Sequence, residues 1–101
     1  MTVERFFSIP DDHPSLAGHF PGNPIVPGVV ILDAVLRAFK SEYPSRSAHG
    51  MPVVKFLTPL RPGQACAIRF LESNGKLRFD CVLEDGRLLA QGQLRWADTV
   101  P

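Results

Sequence analysis

Gly18-His19-Phe20-Pro21-Gly22-Asn23-Pro24-Ile25-Val26-Pro27 runs directly into Gly28-Val29-Val30-Ile31-Leu32-Asp33-Ala34-Val35-Leu36-Arg37-Ala38-Phe39-Lys40-Ser41. Two kinds of backbone meet at Pro27. Between Pro10 and Pro27 there are five prolines (Pro10, Pro14, Pro21, Pro24 and Pro27) among Gly, Asp, Asn and His. That density excludes both a long helix and a central strand. The stretch carries little charge and includes Leu16, Phe20, Ile25 and Val26, which favours an ordered, buried loop over a disordered one. From Gly28 to Ser41 the pattern changes. Apolar residues occupy nearly every position, with Asp33, Arg37 and Lys40 between them, and Pro44 closes the segment. This predicts one helix of about 21 Å, apolar nearly all round and therefore buried.

Around this unit the chain reads as strands. Val3–Ile9 precedes the loop and ends at Pro10. After a polar connector over Ser41–Gly50 come Met51–Leu57, Ala65–Leu71, Lys76–Leu83 and Leu88–Trp96. Pro59 with Pro62-Gly63, Ser73-Asn74-Gly75 and Glu84-Asp85-Gly86 separate them. Asn-Gly and Asp-Gly between strand-like runs are hairpin signals, so Phe70–Leu94 is expected to form an antiparallel meander. The expected class is α+β, an antiparallel sheet wrapped around one central buried helix, in a single domain over residues 1–101.

Composition narrows the function classes. The 101 residues include 11 Lys/Arg and 10 Asp/Glu, with no two basic residues adjacent, so no basic stripe points to nucleic acid. The longest apolar runs, such as Val29–Leu32, are far short of the roughly 20 residues that span a bilayer, and the N-terminus lacks signal-peptide character. A cytoplasmic protein with no membrane partner is expected. Cys66 and Cys81 sit in strand-like stretches, where free thiols behave as small buried hydrophobes. Three His and two Cys make no zinc spacing, and no cofactor or metal is expected.

Three positions could carry chemistry. Asp33 stands mid-helix among aliphatic residues. It pairs with Arg37 at i, i+4, or serves as an acid favoured by desolvation; the two can coexist, with Arg37 opposing the effect of desolvation. His19, between Gly18 and Phe20-Pro21-Gly22, is either a fixed general base or a loop histidine bonded to backbone. Gly28 opens the helix; its N–H either faces an incoming carbonyl or the residue serves close packing alone. His13, beside Asp11-Asp12, and His49, in the polar connector, are expected at the surface. A base, a carboxylic acid and a helix N-terminal N–H suit proton removal next to a polarised carbonyl. No nucleophile elbow is present.

The run from Asp12 to Ala34 resembles the signature of the FabZ/FabA-type (3R)-hydroxyacyl-[acyl-carrier-protein] dehydratases, which are hotdog-fold enzymes. Their pattern is G-H-F-P-G-x-P-x-x-P-G-V, then Glu or Asp followed by Ala in the helix. A weaker echo is Val54-Lys55-Phe56-Leu57-Thr58-Pro59-Leu60-Arg61-Pro62-Gly63-Gln64. The resemblance implies that His19 is the catalytic histidine, that Asp33, fourteen residues on, is the catalytic carboxylate, and that the Gly28 N–H binds the thioester carbonyl. It implies that histidine and carboxylate meet across a homodimer or a dimer-based higher oligomer, and that the acyl chain, carried on the phosphopantetheine arm of acyl carrier protein, lies in an apolar tunnel beside the helix. Phe20, Pro27, Arg37, Phe56 and Arg61 are then expected near substrate or carrier. Arg37 departs from the family's usual Gln. The short N-terminal segment and brief connector resemble compact, ApeI-like members serving specialised lipid or polyene pathways.

The leading expectation is dehydration of a (3R)-3-hydroxyacyl thioester to the trans-2-enoyl thioester. A hotdog thioesterase, with Asp33 held ionised by Arg37, is the alternative on the same scaffold, and a non-catalytic acyl-binding subunit is the third. Carrier proteins are acidic, so Arg37, Arg46, Lys55 and Arg61 are expected to form a basic rim.

Overall fold

The computed structural model describes residues 2–16 and 25–99. In order it forms β1 (Thr2–Phe7), a short 3-10 turn (Pro14–Leu16), α1 (Gly28–Glu42), β2 (Arg46–Phe56), β3 (Cys66–Ser73), β4 (Lys76–Leu83) and β5 (Leu88–Asp98). The five strands make one antiparallel sheet in the order β1-β3-β4-β5-β2, with α1 laid against it. This is the expected α+β class.

The meander follows from its turns. Asn74 and Gly75 both take positive φ (51° and 75°), as a two-residue hairpin turn requires, and β3 pairs with β4 from Ser73↔Lys76 through Cys66↔Leu83. At the next turn Leu83 N–H donates to Arg87 O at 2.9 Å and Gly86 N–H to Leu83 O at 2.9 Å. Alternation does the rest. β4 buries Leu77, Phe79, Cys81 and Leu83 on one face and sends Lys76, Arg78 and Asp80 to the other.

α1 buries Ile31, Val35 and Phe39, spaced by four residues, against this face. Phe39 meets Tyr43 and Phe70 with ring centroids 5.4 and 6.4 Å apart, and Tyr43 meets Phe70 at 5.9 Å. This cluster pins the C-terminal half of the helix. Full burial of Phe39, Phe70 and Phe79 stabilises the fold by roughly 1.5–3 kcal/mol each. The N-terminal half is set by backbone: Val26 N–H donates to Leu60 O at 2.8 Å. Cys66 and Cys81 are free and buried, as expected.

Two expectations change. The helix is not buried all round. A five-stranded sheet covers only one side of it, and Val29 (74% exposed) and Leu36 lie on the open side. The polar connector is also shorter than expected, because β2 starts at Arg46 and pairs with the C-terminal end of β5 (Arg46↔Asp98, Ala48↔Trp96). Arg46 explains how polar sequence becomes strand. Its guanidinium stacks 3.8 Å from the Trp96 ring centroid and 4.6 Å from that of Tyr43, with Nη1 3.0 Å from Glu72 Oε2. His49 is thus a strand residue, though exposed as expected. A register shift flanks Gly50, so β2 is an irregular edge strand.

Candidate active site

The start of α1 is the chemically open end. Its cap residue, Pro27, is extended (φ −60°, ψ 145°) and makes no side-chain capping bond. Pro27 O accepts from Val30 N–H at 3.0 Å and from Ile31 N–H at 3.4 Å. Among the described residues no acceptor is recorded for the Gly28 N–H. A helix N-terminus in this state directs partial positive charge outward.

Beside it lies an apolar groove of about 470 Å³, lined by Ile25, Val26, Gly28, Ile31 and the segment Phe56–Leu60. Phe56 ends β2 with its ring tip against Gly28. A Cβ built on Gly28 would fall 2.8 Å from the ring Cζ and 3.2–3.3 Å from both Cε atoms. A side chain at residue 28 would therefore force the ring tip to shift. The turn after Phe56 is fixed by Leu57 and Thr58 N–H groups, both donating to Leu89 O (2.8 and 3.2 Å), and by Thr58 Oγ1 donating to Leu88 O at 3.0 Å.

Asp33 occupies the opposite side of the helix. It stands five positions after Gly28, which turns its side chain by about 140° and carries it about 7.5 Å along the axis. It shares the open face with Val29, Leu36 and Arg37. Arg37 Nε donates to Asp33 Oδ2 at 2.8 Å, and the two side chains are 81% and 58% exposed respectively. The i, i+4 pair is therefore formed, and among the described residues nothing buries Asp33.

The other expected residues scatter. His19 and Phe20 lie outside the described residues. Pro27 is half-buried at the helix cap, and Phe56 lines the groove. Arg61 is exposed past the groove's end, its N–H donating to Gln64 Oε1 at 2.8 Å. The basic rim does not assemble as expected: Arg46 is held between two rings and Glu72, and Arg37 is held by Asp33. Lys55 points to the outer face of the sheet, with Arg78 and Gln91. Groove-lining Ile25, Ile31, Leu57, Thr58 and Leu60 were not anticipated as site residues. The signal was the quoted Val54–Gln64 echo, whose apolar positions follow directly on Phe56.

Comparison with known proteins adds the following. The family described as ApeI-like, ApeI dehydratase, matches residues 2–93. The 3-hydroxyacyl-[acyl-carrier-protein] dehydratase FabZ of Thermomicrobium roseum is 33% identical over 91 residues, which cover 82% of this chain and 60% of that protein. The FabZ of Streptococcus pyogenes serotype M3 is 32% identical over 123 residues, covering 96% of this chain and 86% of its own. This chain thus spans less than two thirds of the Thermomicrobium protein. Among solved structures, the dehydratase heterocomplex ApeI:P from Xenorhabdus doucetiae superposes with a TM-score of 0.80 at 24% identity, over 95% of this chain and 87% of that one. The (R)-hydratase from A. caviae involved in PHA biosynthesis gives 0.73 at 14% identity, over 100% and 95%. Both share the hotdog fold of this chain.

Proposed function

This chain belongs to the ApeI-like dehydratase family, and we propose that it removes water from (3R)-3-hydroxyacyl thioesters carried on acyl carrier protein, giving trans-2-enoyl thioesters. One observation carries the reading: an uncapped helix N-terminus opens on an apolar groove, while the helix's carboxylate faces the other way. The groove takes the acyl part. The Gly28 N–H binds the thioester oxygen and stabilises the enolate-like charge that develops on it, an effect worth about 3 kcal/mol for a donor of this kind. His19 removes the C2 proton. The C3–O bond breaks as the C2=C3 bond forms, and Asp33 delivers a proton to the departing hydroxyl, directly or through water.

The 140° between Gly28 and Asp33 has a consequence for assembly. A carboxylate on the open face serves the groove of another copy more readily than its own. Val29 and Leu36, exposed beside Asp33, supply the apolar surface such a contact needs, so the working unit is a homodimer. No described helix is long and apolar enough to cross a membrane, and a cytoplasmic location goes with the same reading.

The Arg37–Asp33 pair favours a second reading, hydrolysis of the thioester by water that an ionised Asp33 activates. Product analysis separates the two. Incubation with a (3R)-3-hydroxyoctanoyl thioester is expected to yield the enoyl thioester, with loss of turnover in His19→Ala. Free thiol and 3-hydroxy acid without enoyl product would replace dehydration by hydrolysis. Undiminished dehydration by His19→Ala would remove the histidine from the mechanism.

A further inference from the structure

Among the described residues Phe56 is the aromatic side chain set against the helix N-terminus, and its backbone is anchored there. Behind it, Phe56 pairs with Ala90 in the ladder, and the next two N–H groups both bond to Leu89 O. In front, its ring tip occupies the space that a side chain on residue 28 would fill. Yet the residue is 49% exposed, one of the few large apolar side chains of the sheet that is not covered. A ring set against the helix start with one surface open to a groove is a wall. It can neither donate nor accept a hydrogen bond to a carbonyl, so its contribution at that place is shape and exclusion of water.

We propose that Phe56 is the specificity-determining residue of the groove. Its ring limits the width available immediately beside the Gly28 N–H, so that unbranched acyl groups fit and acyl groups that are bulky at C3 or C4 collide with it. This inference rests on the assignment of the groove to the acyl chain made above. The neighbouring wall residues are branched aliphatics or backbone (Ile25, Ile31, Leu57, Leu60). Ile31 and Leu60 belong to the core, whereas the ring of Phe56 stands between Gly28 and the open groove.

The test compares wild type with Phe56→Ala and Phe56→Leu on two substrates, a straight-chain 3-hydroxybutanoyl thioester and a bulky 3-hydroxy-3-phenylpropanoyl thioester. The bulky-to-straight ratio of kcat/KM is expected to rise at least about tenfold in Phe56→Ala, the scale at which pocket size discriminates, and by a smaller step in the same direction in Phe56→Leu. A ratio within about twofold of wild type in both variants overturns the proposal. So does an equal fall on both substrates, which is what a purely structural role would give. Should Phe56→Ala unfold, as far-ultraviolet circular dichroism would reveal, the Leu variant decides alone. Binding of the corresponding unreactive amide analogues, measured by calorimetry, supplies a readout that needs no turnover. If the wild type dehydrates neither thioester, the proposed function fails, and the shift in relative affinity for the two amides still decides the role of Phe56.

Discussion

Asp33 and Arg37 face each other across one turn of α1, Nε to Oδ2 at 2.8 Å, on a helix face that the chain leaves open. As a stabilising contact this pair is minor, because exposed i, i+4 ion pairs are worth about 0.3–0.5 kcal/mol. As a constraint on chemistry it is larger. One of the two carboxyl oxygens, Oδ2, already accepts a charged hydrogen bond. Arg37→Gln is therefore expected to leave the melting temperature nearly unchanged while raising enoyl formation several-fold. The check is to follow both products, enoyl thioester and free thiol, in parallel. A fall in dehydration in Arg37→Gln would instead make the arginine a substrate or carrier contact.

Gly28 and Phe56 are coupled by contact, so their substitutions should not add. Gly28→Ala keeps the N–H but places a methyl 2.8 Å from the ring Cζ. Overpacking of this kind typically costs about 1–3 kcal/mol. Denaturant unfolding of Gly28→Ala, Phe56→Leu and the double variant is expected to show the alanine penalty largely relieved when the ring is gone. Additive penalties would mean that the ring swings away freely and that the contact does not govern the helix start.

The fold was legible where local chemistry and burial agree. β4 is found at the bounds read from the sequence, because Asn74-Gly75 and Asp85-Gly86 punctuate it and its alternation is unbroken. The start of α1 at Gly28 was legible from Pro27 for the same reason. The first half of β2 was not. Arg46, Ser47 and His49 carry no strand signal, and what makes them a strand is distant: Trp96, Glu72 and the pairing to residues 95–98 of β5. The burial of α1 was misread because an apolar stripe that packs on a sheet and one that awaits another surface are identical in sequence. Val29 and Val35 are the same residue type, one exposed and one fully buried. The candidate site was half legible. Gly28 and Asp33 could be named from motif and residue type, but their placement on different helix faces needed the helix's phase, and the wall formed by Phe56 needed a contact between residues 28 positions apart.

Cys66 and Cys81 lie on adjacent strands with their side chains in the core, diagonal to one another in the ladder (Cys66↔Leu83, Ile68↔Cys81). Hydrogen bonding to Cys66 and burial push the Cys81 thiol well above its ordinary range. Both side chains are buried, so neither thiol should react as a nucleophile in the folded protein. Titration with a thiol-specific reagent is expected to count no fast-reacting thiol in native buffer and two in denaturant. Rapid native modification of either one would show that the β3–β4 pair opens on that timescale.

The β4–β5 turn carries a small pH dependence with a definite sign. The Arg87 N–H, donating to Asp85 Oδ1 at 3.0 Å, holds the Asp85 carboxyl below its ordinary range, and the Arg87 guanidinium adds to this. A carboxyl whose folded-state value is depressed stabilises the fold above its unfolded value, about 4, and loses that contribution as the pH falls through the folded value. Asp85→Asn should therefore melt slightly below wild type at neutral pH, with the gap closing in acid. A gap that is constant from neutral to acid pH would assign the effect to turn geometry and not to charge.

Leu36 lies on the open face of α1 with Val29 and Asp33, and it contributes little to the core of its own chain. If that face meets a second copy, a charge there should break the assembly without unfolding the protomer. Leu36→Lys is expected to convert a dimer to a monomer in analytical ultracentrifugation, to preserve the circular dichroism spectrum, and to lower dehydration about a hundredfold or more, the scale of a lost general acid. The loss of activity should track protein concentration, since mass action repopulates a weakened dimer. Mixing Leu36→Lys with inactive His19→Ala chains sharpens the test. Where only the lysine face fails, a heterodimer with one intact contact recovers part of the activity. A monomeric wild type with full activity would place His19, Gly28 and Asp33 in one chain and would require the helix to turn its carboxylate toward its own groove.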